Sequence, residues 1–466
     1  MNVSVKFLGG AGSVTGSRYL LTIDNFNVLL DAGLFQGLKE LRLRNWHEFP
    51  VDPATIDAII ITHAHIDHVG YLPRLIKEGF TGPIYCTEPT ADLMELTLMD
   101  SAKLQEEEAE FAKKKHYSKH ENPEPLYRAE DVEDMLPLIR RKDTDQRIKI
   151  SDRVEICFRQ SGHLLGAAIV ELFVKGDREE KKIVFSGDLG RDSDVMLYPP
   201  TPIDEADVLF IESTYGNKDN PAFDPEGDLE RVVNDTVKNN GVLLIPAFAI
   251  GRTQVLLHYF HKLMKQDKVP DIPVYIDSPM AISATYLYYK HPKYHKLKDF
   301  NERVFAQEME TNMLVFVKNS QHSKSLNDLK GSAIIISSSG MMTGGRILHH
   351  MYHRLKNPQD TILVPGFQAE GTRGRRLVDG ESTLRIFGQD VPVLCKVANM
   401  KSLSGHADRE ELFKWMKNFK KKPKVVFTIH GEGKDLEMYG QAIRERMGWN
   451  VMQPKYLQTV SLFEGI

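Results

Sequence analysis

The stretch Ala58-Ile59-Ile60-Ile61-Thr62-His63-Ala64-His65-Ile66-Asp67-His68 decides how the rest of the chain is read. Its first four residues are apolar and mostly β-branched, the pattern of a short strand buried on both faces. Past the histidines, Val69, Leu72, Leu75 and Ile76 fall at helical spacing. The polar string therefore sits on a loop at the carboxyl end of a buried strand, with Asp67 and His68 in the first turn of a helix. Open α/β sheets place ligand-binding groups there. His63 and His65, two apart on extended backbone, point the same way, while Asp67 and His68 turn toward a second centre. Three imidazoles and a carboxylate are thus offered to two neighbouring cations, and this donor set suits zinc. The competing reading is a solvated loop with chance histidines. Four ligand-type residues in six positions after a buried strand outweigh it.

Composition sets the frame around this loop. A chain of 466 residues is too long for one ordinary core, so two domains are expected. Hydrophobic residues at 41% and charged residues at 27% are those of a soluble globular protein. No apolar run approaches the ~20 residues of a membrane span. The N-terminus alternates Val3, Val5, Phe7 as a strand does, without the layout of a signal peptide. Cys86, Cys157 and Cys395 are odd in number and far apart, which argues against a disulfide framework and for a cytoplasmic protein. The net charge of -4 gives no global attraction for nucleic acid. Affinity for a polyanion must come from local basic groups and from metals.

Other strand ends repeat the theme. Val28-Leu29-Leu30 ends in Asp31. Residues 99–149, with Glu106-Glu107-Glu108 and Lys113-Lys114-Lys115, read as a charged helix and surface loop inserted at the rim, where His116 and His120 belong to a solvated face. Three consecutive strands then end in His163, Asp188 and Glu212, and Val425-Val426-Phe427-Thr428-Ile429 ends in His430. Such ends can converge on one cleft. Between 217 and 398 the pattern becomes strand, glycine loop, helix, three times over, which predicts a second, parallel α/β sheet. Its loops carry Arg252, then Ser338, Gly340, Met341 and Arg346, then Thr372, Arg373 and Arg375. Glycine-rich backbone, helix N-termini and arginine forks together predict contact with phosphates. None is a dinucleotide or P-loop fingerprint, so no nucleotide cofactor is expected. The helix His349-His350-Met351-Tyr352-His353 lacks carboxylates and reads as a surface facing substrate.

The string from His63 to His68 resembles the H-x-H-x-D-H motif of the metallo-β-lactamase superfamily. Pro246-Ala247-Phe248-Ala249-Ile250-Gly251-Arg252, Ile276-Asp277-Ser278-Pro279-Met280-Ala281 and the two later glycine loops resemble its β-CASP branch. That branch holds nucleases typified by the endonuclease subunit of the eukaryotic cleavage and polyadenylation complex. The resemblance implies an αββα sandwich over 1–216, resuming at 399–466. A β-CASP domain is inserted at 217–398, with the active site in the cleft between the two. It implies two Zn2+ ions, one on His63, His65 and His163, the other on Asp67, His68 and His430, bridged by Asp188. Asp31 would support the metal loop from behind.

The same resemblance makes His406, in Ser404-Gly405-His406-Ala407-Asp408, the general acid, oriented by Glu212, with Asp67 also among the catalytic groups. A metal-bridged hydroxide would hydrolyse the phosphodiester, leaving a 5′-phosphate and a 3′-hydroxyl. Histidine rather than the valine of the family's DNA-repair branch at position 430 implies single-stranded RNA over DNA as substrate; the resemblance favours an endonuclease, and the sequence leaves exonucleolytic cleavage open. A homodimer is compatible with this reading. The alternatives are a related hydrolase acting on DNA or on a small thioester or ester, and a scaffold protein with a vestigial site. The arginine loops argue against a small substrate, and the filled ligand positions argue against a vestige.

Overall fold

The computed structural model describes residues 1–115, 123–219, 224–297, 313–366, 368, 371–400 and 403–465. His116 and His120 lie outside these. The chain forms two compact units, Met1–Asp219 with His406–Ile466, and Asn220–Gly405.

The first unit contains two seven-stranded sheets. One runs in the order Thr459–Phe463, Val3–Phe7, Tyr19–Ile23, Phe26–Leu30, Ala58–Ile60, Ile84–Thr87, Ile139–Lys142. The other runs Val451–Met452, Val425–Ile429, Val208–Glu212, Glu180–Phe185, Ala168–Lys175, Val154–Gln160, Ile148–Lys149. Each is antiparallel on one side and parallel on the other. The continuous apolar runs divide by parity. Val170, Leu172, Val174, Ile183, Phe185, Val208, Phe210, Phe427 and Ile429 point inward, onto Val5, Phe7, Leu21, Val28 and Ile60 of the first sheet. Their neighbours Ile169, Val184, Leu209, Ile211 and Val426 point outward. They meet Leu412, Phe413, Trp415 and Met416 of the helix Arg409–Met416, and Tyr439 and Ile443 of Gly433–Met447. Every second residue faces the opposite side of a strand, so a strand covered on both faces must be apolar throughout. At the centre Phe185, Phe210 and Phe427 stack at 4.0 and 4.8 Å between centroids.

Two expectations change. A strand not foreseen, Ala168–Lys175, runs antiparallel between those leading to His163 and Asp188, so these strands are not consecutive. Residues 99–149 are also more than rim decoration. They supply Ile139–Lys142 to the edge of one sheet and Ile148–Lys149 to the edge of the other, and bury Tyr127, Val132 and Met135. Edge strands half in water lack the apolar run that marks a central one.

The second unit is a parallel six-stranded sheet ordered Leu314–Phe316, Val274–Asp277, Ala333–Ser337, Val242–Pro246, Thr361–Val364, Lys396–Asn399, with a hairpin of Thr383–Ile386 and Gln389–Pro392. Three of its helices, Arg252–Lys265, Arg346–Arg354 and Arg373–Val378, each begin with one of the predicted arginines. The units meet in sequence at 219/220 and 405/406 rather than at 216/217 and 398/399. Asn217 and Lys218 reach Asp435 in the first unit, and Lys396–Asn399 pairs with Thr361–Val364 in the second. No helix among the described residues is long and apolar enough to cross a membrane.

Candidate active site

The loop after Ala58–Ile60 is held in place by a second loop, Asp31 to Leu34. The amides of Ala32 and Leu34 donate to the carbonyls of His68 and Ile66 at 2.7 and 3.0 Å. Gly33 permits this approach, since a side chain there would begin 1.5 Å from the Asp67 carbonyl oxygen. Similarly, a side chain at Gly190 would begin 1.8 Å from the Gly162 carbonyl, where the His163 and Asp188 loops touch. Asp31 and His430 have φ of 56° and 53°, left-handed backbone that costs non-glycine residues about 1–3 kcal/mol each. Both residues aim side chains at the same centre.

That centre collects every predicted ligand. His63, His65, His163 and Asp188 form one donor group, and Asp67, His68 and His430 a second. In the first, His65 Nδ1 lies 3.1 Å from Nε2 of both His63 and His163, and Asp188 Oδ2 lies 3.5 and 3.6 Å from the same two nitrogens. In the second, His430 Nε2 lies 3.1 Å from His68 Nε2 and 3.3 Å from Asp67 Oδ2. Four donors held at zinc–nitrogen distances of ~2.0–2.1 Å around one cation would stand about 3.3 Å apart, so the spacing fits the metal. Asp188 Oδ1 is buried with no hydrogen-bond partner among the described residues. Its nearest nitrogens are His68 Nε2 at 3.5 Å and His430 Nδ1 at 3.6 Å. An orphaned, buried carboxylate oxygen between two imidazole sets has the chemistry of a bridging ligand.

The protonation states of His63, His65 and Asp67 suit metal binding, while His68 is held as an imidazolium whose proton a metal would displace. Burial pushes His63 well below the usual histidine range, and His65 down to about 4, so both present neutral lone pairs. Burial would raise Asp67, but the hydrogen bond from His430 and the pull of the His68 and His430 imidazoles together outweigh it and leave it at about 2. For His68, burial lowers and the Asp188 and Asp31 carboxylates raise, and the carboxylates win.

Behind the donors stands a ring of orienting groups. Asp31 Oδ2 accepts from His68 Nδ1 at 2.7 Å and from Thr62 Oγ1 at 2.8 Å, while Oδ1 accepts from the Thr62 amide. Thr62 Oγ1 also lies 3.1 Å from His63 Nδ1, and Thr214 Oγ1 lies 2.9 Å from His430 Nδ1. Each contact leaves the imidazole's other nitrogen for metal. Thr62 and Thr214 were not foreseen, and nothing in a threonine beside a ligand or 216 positions from one announces such a role.

His406 packs on the metal-facing histidines, its ring 4.4 Å from that of His163 and 5.6 Å from Tyr215. Its Nδ1 faces Glu212 Oε1 at 3.4 Å. Glu212 is fully buried and also accepts from the amides of Leu189 at 2.7 Å and Thr214 at 3.3 Å. Asp408, not His406, caps the following helix, accepting from Glu411 N at 2.9 Å.

Residues 12–223 match the metallo-beta-lactamase superfamily, 253–377 the Beta-Casp domain, and 390–454 the Zn-dependent metallo-hydrolase RNA specificity domain. A Thermus thermophilus protein named a ribonuclease is 35% identical, with 94% of this chain and 95% of that one covered. The chain belongs to the β-CASP nuclease branch of the metallo-β-lactamase superfamily. Other β-CASP relatives are an RNase J-like protein of Methanocaldococcus jannaschii, 31% identical over 92% of this chain and 93% of its own, and a Methanosarcina mazei protein named transcription termination factor FttA, 30% identical over 99% and 72%. A crystal structure of an Enterococcus faecalis protein of unknown function shares the fold, with a TM-score of 0.57 at 14% identity, covering 99% of this chain and 100% of that one.

In the β-CASP unit the predicted phosphate-binding residues sit on three loops of the parallel sheet. The Arg252 guanidinium lies beside the Gly366 loop. Ser338 Oγ donates to Ser278 Oγ at 3.0 Å, the Gly340 carbonyl accepts from Gln368 Nε2 at 3.1 Å, and Met341 is half-buried. Thr372 caps its helix by accepting from the amide of Arg375, whose Nε donates to Asp379 at 2.8 Å. Two arginines turn inward. Arg346 donates to Asp277 Oδ1 at 2.6 Å and to the carbonyls of Val317 and Lys318, and Arg373 donates to the carbonyls of Arg385, Met342 and Thr343. One histidine departs from expectation. His350 is not on the surface but fully buried, its Nε2 2.6 Å from Asp277 Oδ2, while His349 and His353 are exposed.

Proposed function

We propose that the chain is a zinc-dependent ribonuclease that hydrolyses single-stranded RNA to products with 5′-phosphate and 3′-hydroxyl ends. The observation that carries this reading is the pair of donor groups sharing Asp188, with the His406–Glu212 pair packed against one of them. His63, His65 and His163 would hold one zinc, Asp67, His68 and His430 the other, and Asp188 both. When bound, zinc lowers the pKa of water toward ~7 and offsets phosphoryl charge. Against two dications the donor groups set only the two carboxylates of Asp67 and Asp188, so a phosphodiester would meet net positive charge at the metals.

The chain's own residues then deal with the leaving group. A departing 3′ oxygen is a poor leaving group without a proton. His406, whose Nδ1 faces Glu212, holds that proton at Nε2. Burial alone would lower this imidazolium's pKa, yet the Glu212 carboxylate, with help from Asp188 and Asp67, raises it to about 9. The acid is therefore charged at neutral pH, as its role demands, and bound dications would draw the value back down. Phosphates along the strand fall to Arg252, Ser338, Gly340, Met341, Thr372 and Arg375, with Arg346 and Arg373 holding the loops in shape.

Glu212→Gln tests the pairing. Losing the carboxylate lowers the His406 pKa, so the alkaline limb of the kcat profile moves to lower pH. A limb that stays in place assigns it to another group. The function itself is tested by end-labelled RNA digestion with zinc-loaded protein. Cleavage to 5′-phosphate ends that stops on chelation is expected, without hydrolysis of S-lactoylglutathione or nitrocefin. Turnover of either small substrate with intact RNA would overturn the proposal.

A further inference from the structure

The hairpin of Thr383–Ile386 and Gln389–Pro392 closes on two residues, Phe387 and Gly388, with φ of 50° and 78°. A two-residue turn with both φ positive favours Asn-Gly. Gly388 obeys, but Phe387 puts a bulky aromatic residue in left-handed backbone, a strained choice. The ring does not recover this by burial, since Phe387 is 53% exposed. It stands instead over the exposed His349, with centroids 4.6 Å apart and planes 35° apart, and 6.2 Å from Tyr352. Cations flank the rings. Lys356 Nζ lies 4.1 Å from the centre of the Tyr352 ring, and Arg385, 3.4 Å from Asp390, precedes the turn. Arg373 Nε donates to the Arg385 carbonyl at 2.9 Å while its Nη1 reaches the carbonyls of Met342 and Thr343. The hairpin is thereby tied to the Ser338–Arg346 loop.

We propose that Phe387 and His349 form a stacking platform for an unpaired base of single-stranded RNA, with Lys356 and Arg385 drawing in the adjoining phosphates. The inference rests on the ribonuclease reading and names a contact that reading lacks. Every base has a π-face, so one exposed ring serves a nuclease of broad sequence tolerance. A lone ring pair falls far short of the ~1,000 Å² that a stable protein interface buries, whereas a single base needs no more than this.

Phe387→Asn separates function from structure, because asparagine suits the turn. Binding is measured by fluorescence anisotropy with the zinc-loaded protein and a short, non-cleavable 2′-O-methyl single strand. The expected result is affinity about five- to tenfold weaker, in line with loss of one stacked base, an unchanged salt slope, and a melting temperature equal to or above wild type. Lys356→Ala should instead flatten the slope of log affinity against log salt by about one. Wild-type affinity in Phe387→Asn, or a variant that alters only self-association in sedimentation, overturns the platform while leaving the ribonuclease reading intact. A wild-type protein that neither binds nor cuts single-stranded RNA overturns both.

Discussion

Replacing His406 by alanine is expected to lower turnover by about 10²- to 10⁴-fold, the usual contribution of a positioned general acid, while zinc content stays at the wild-type value. His406 touches the donor cluster through ring packing on His163 but belongs to neither group of converging donors. Its Nδ1 faces the buried Glu212 carboxylate at 3.4 Å. Removing the imidazole therefore takes away a proton donor and leaves the metal cage standing. Single-turnover kinetics beside elemental analysis make the distinction. If His406→Ala loses zinc in step with activity, the residue is a ligand or a prop for one.

A larger and different loss is expected from Asp188→Asn. Oδ2 of Asp188 faces His63 and His163, and Oδ1 faces His68 and His430, all at 3.5–3.6 Å. Among the described residues, no other side chain reaches both donor groups through separate oxygens in this way. His430 and His68 hold this carboxyl well below the usual range despite its burial, so it is an anion at every working pH. The amide removes the charge and one acceptor oxygen. Both metals should bind more weakly by more than the about 10- to 100-fold typical of residues behind a ligand, and RNA cleavage should fall to background. Thermal melts against metal-free wild type show whether the variant is folded. Retention of two zincs by folded Asp188→Asn would remove Asp188 from the bridge.

Much of this site could be read from the chain because strand periodicity is written locally. A buried run such as Ala58–Ile60 or Val208–Glu212 declares its strand, and a polar residue at its end declares a strand terminus. What could not be read depends on distant partners. His349, His350 and His353 look alike in sequence. Asp277, 73 positions from His350, and Asn327 draw that one inward, onto the face that also buries Ile347, Met351 and Arg354. Arg346 is turned by the same aspartate. The edge strands within 139–149 were hidden because exposed Arg140 and Arg141 mask the pattern. Thr62 and Thr214 contribute a hydroxyl each, with no periodicity to mark them.

The strained backbone at Asp31 and His430 illustrates how the fold serves the site. Both residues follow strands in which local preference would continue extended conformation. Packing of the loops against the strand ends overrides that preference and turns both side chains onto His68, at 2.7 Å for Asp31 and 3.1 Å for His430. Local rules fail where function requires a particular aim.

Residues spread from His63 to His430 would hold two zinc ions side by side. Anomalous diffraction at the zinc edge, from crystals of zinc-loaded protein, tests it directly. Two peaks are predicted, one among His63, His65 and His163, the other among Asp67, His68 and His430, each in contact with Asp188. A single peak, or peaks that leave either histidine set without metal, would contradict the account.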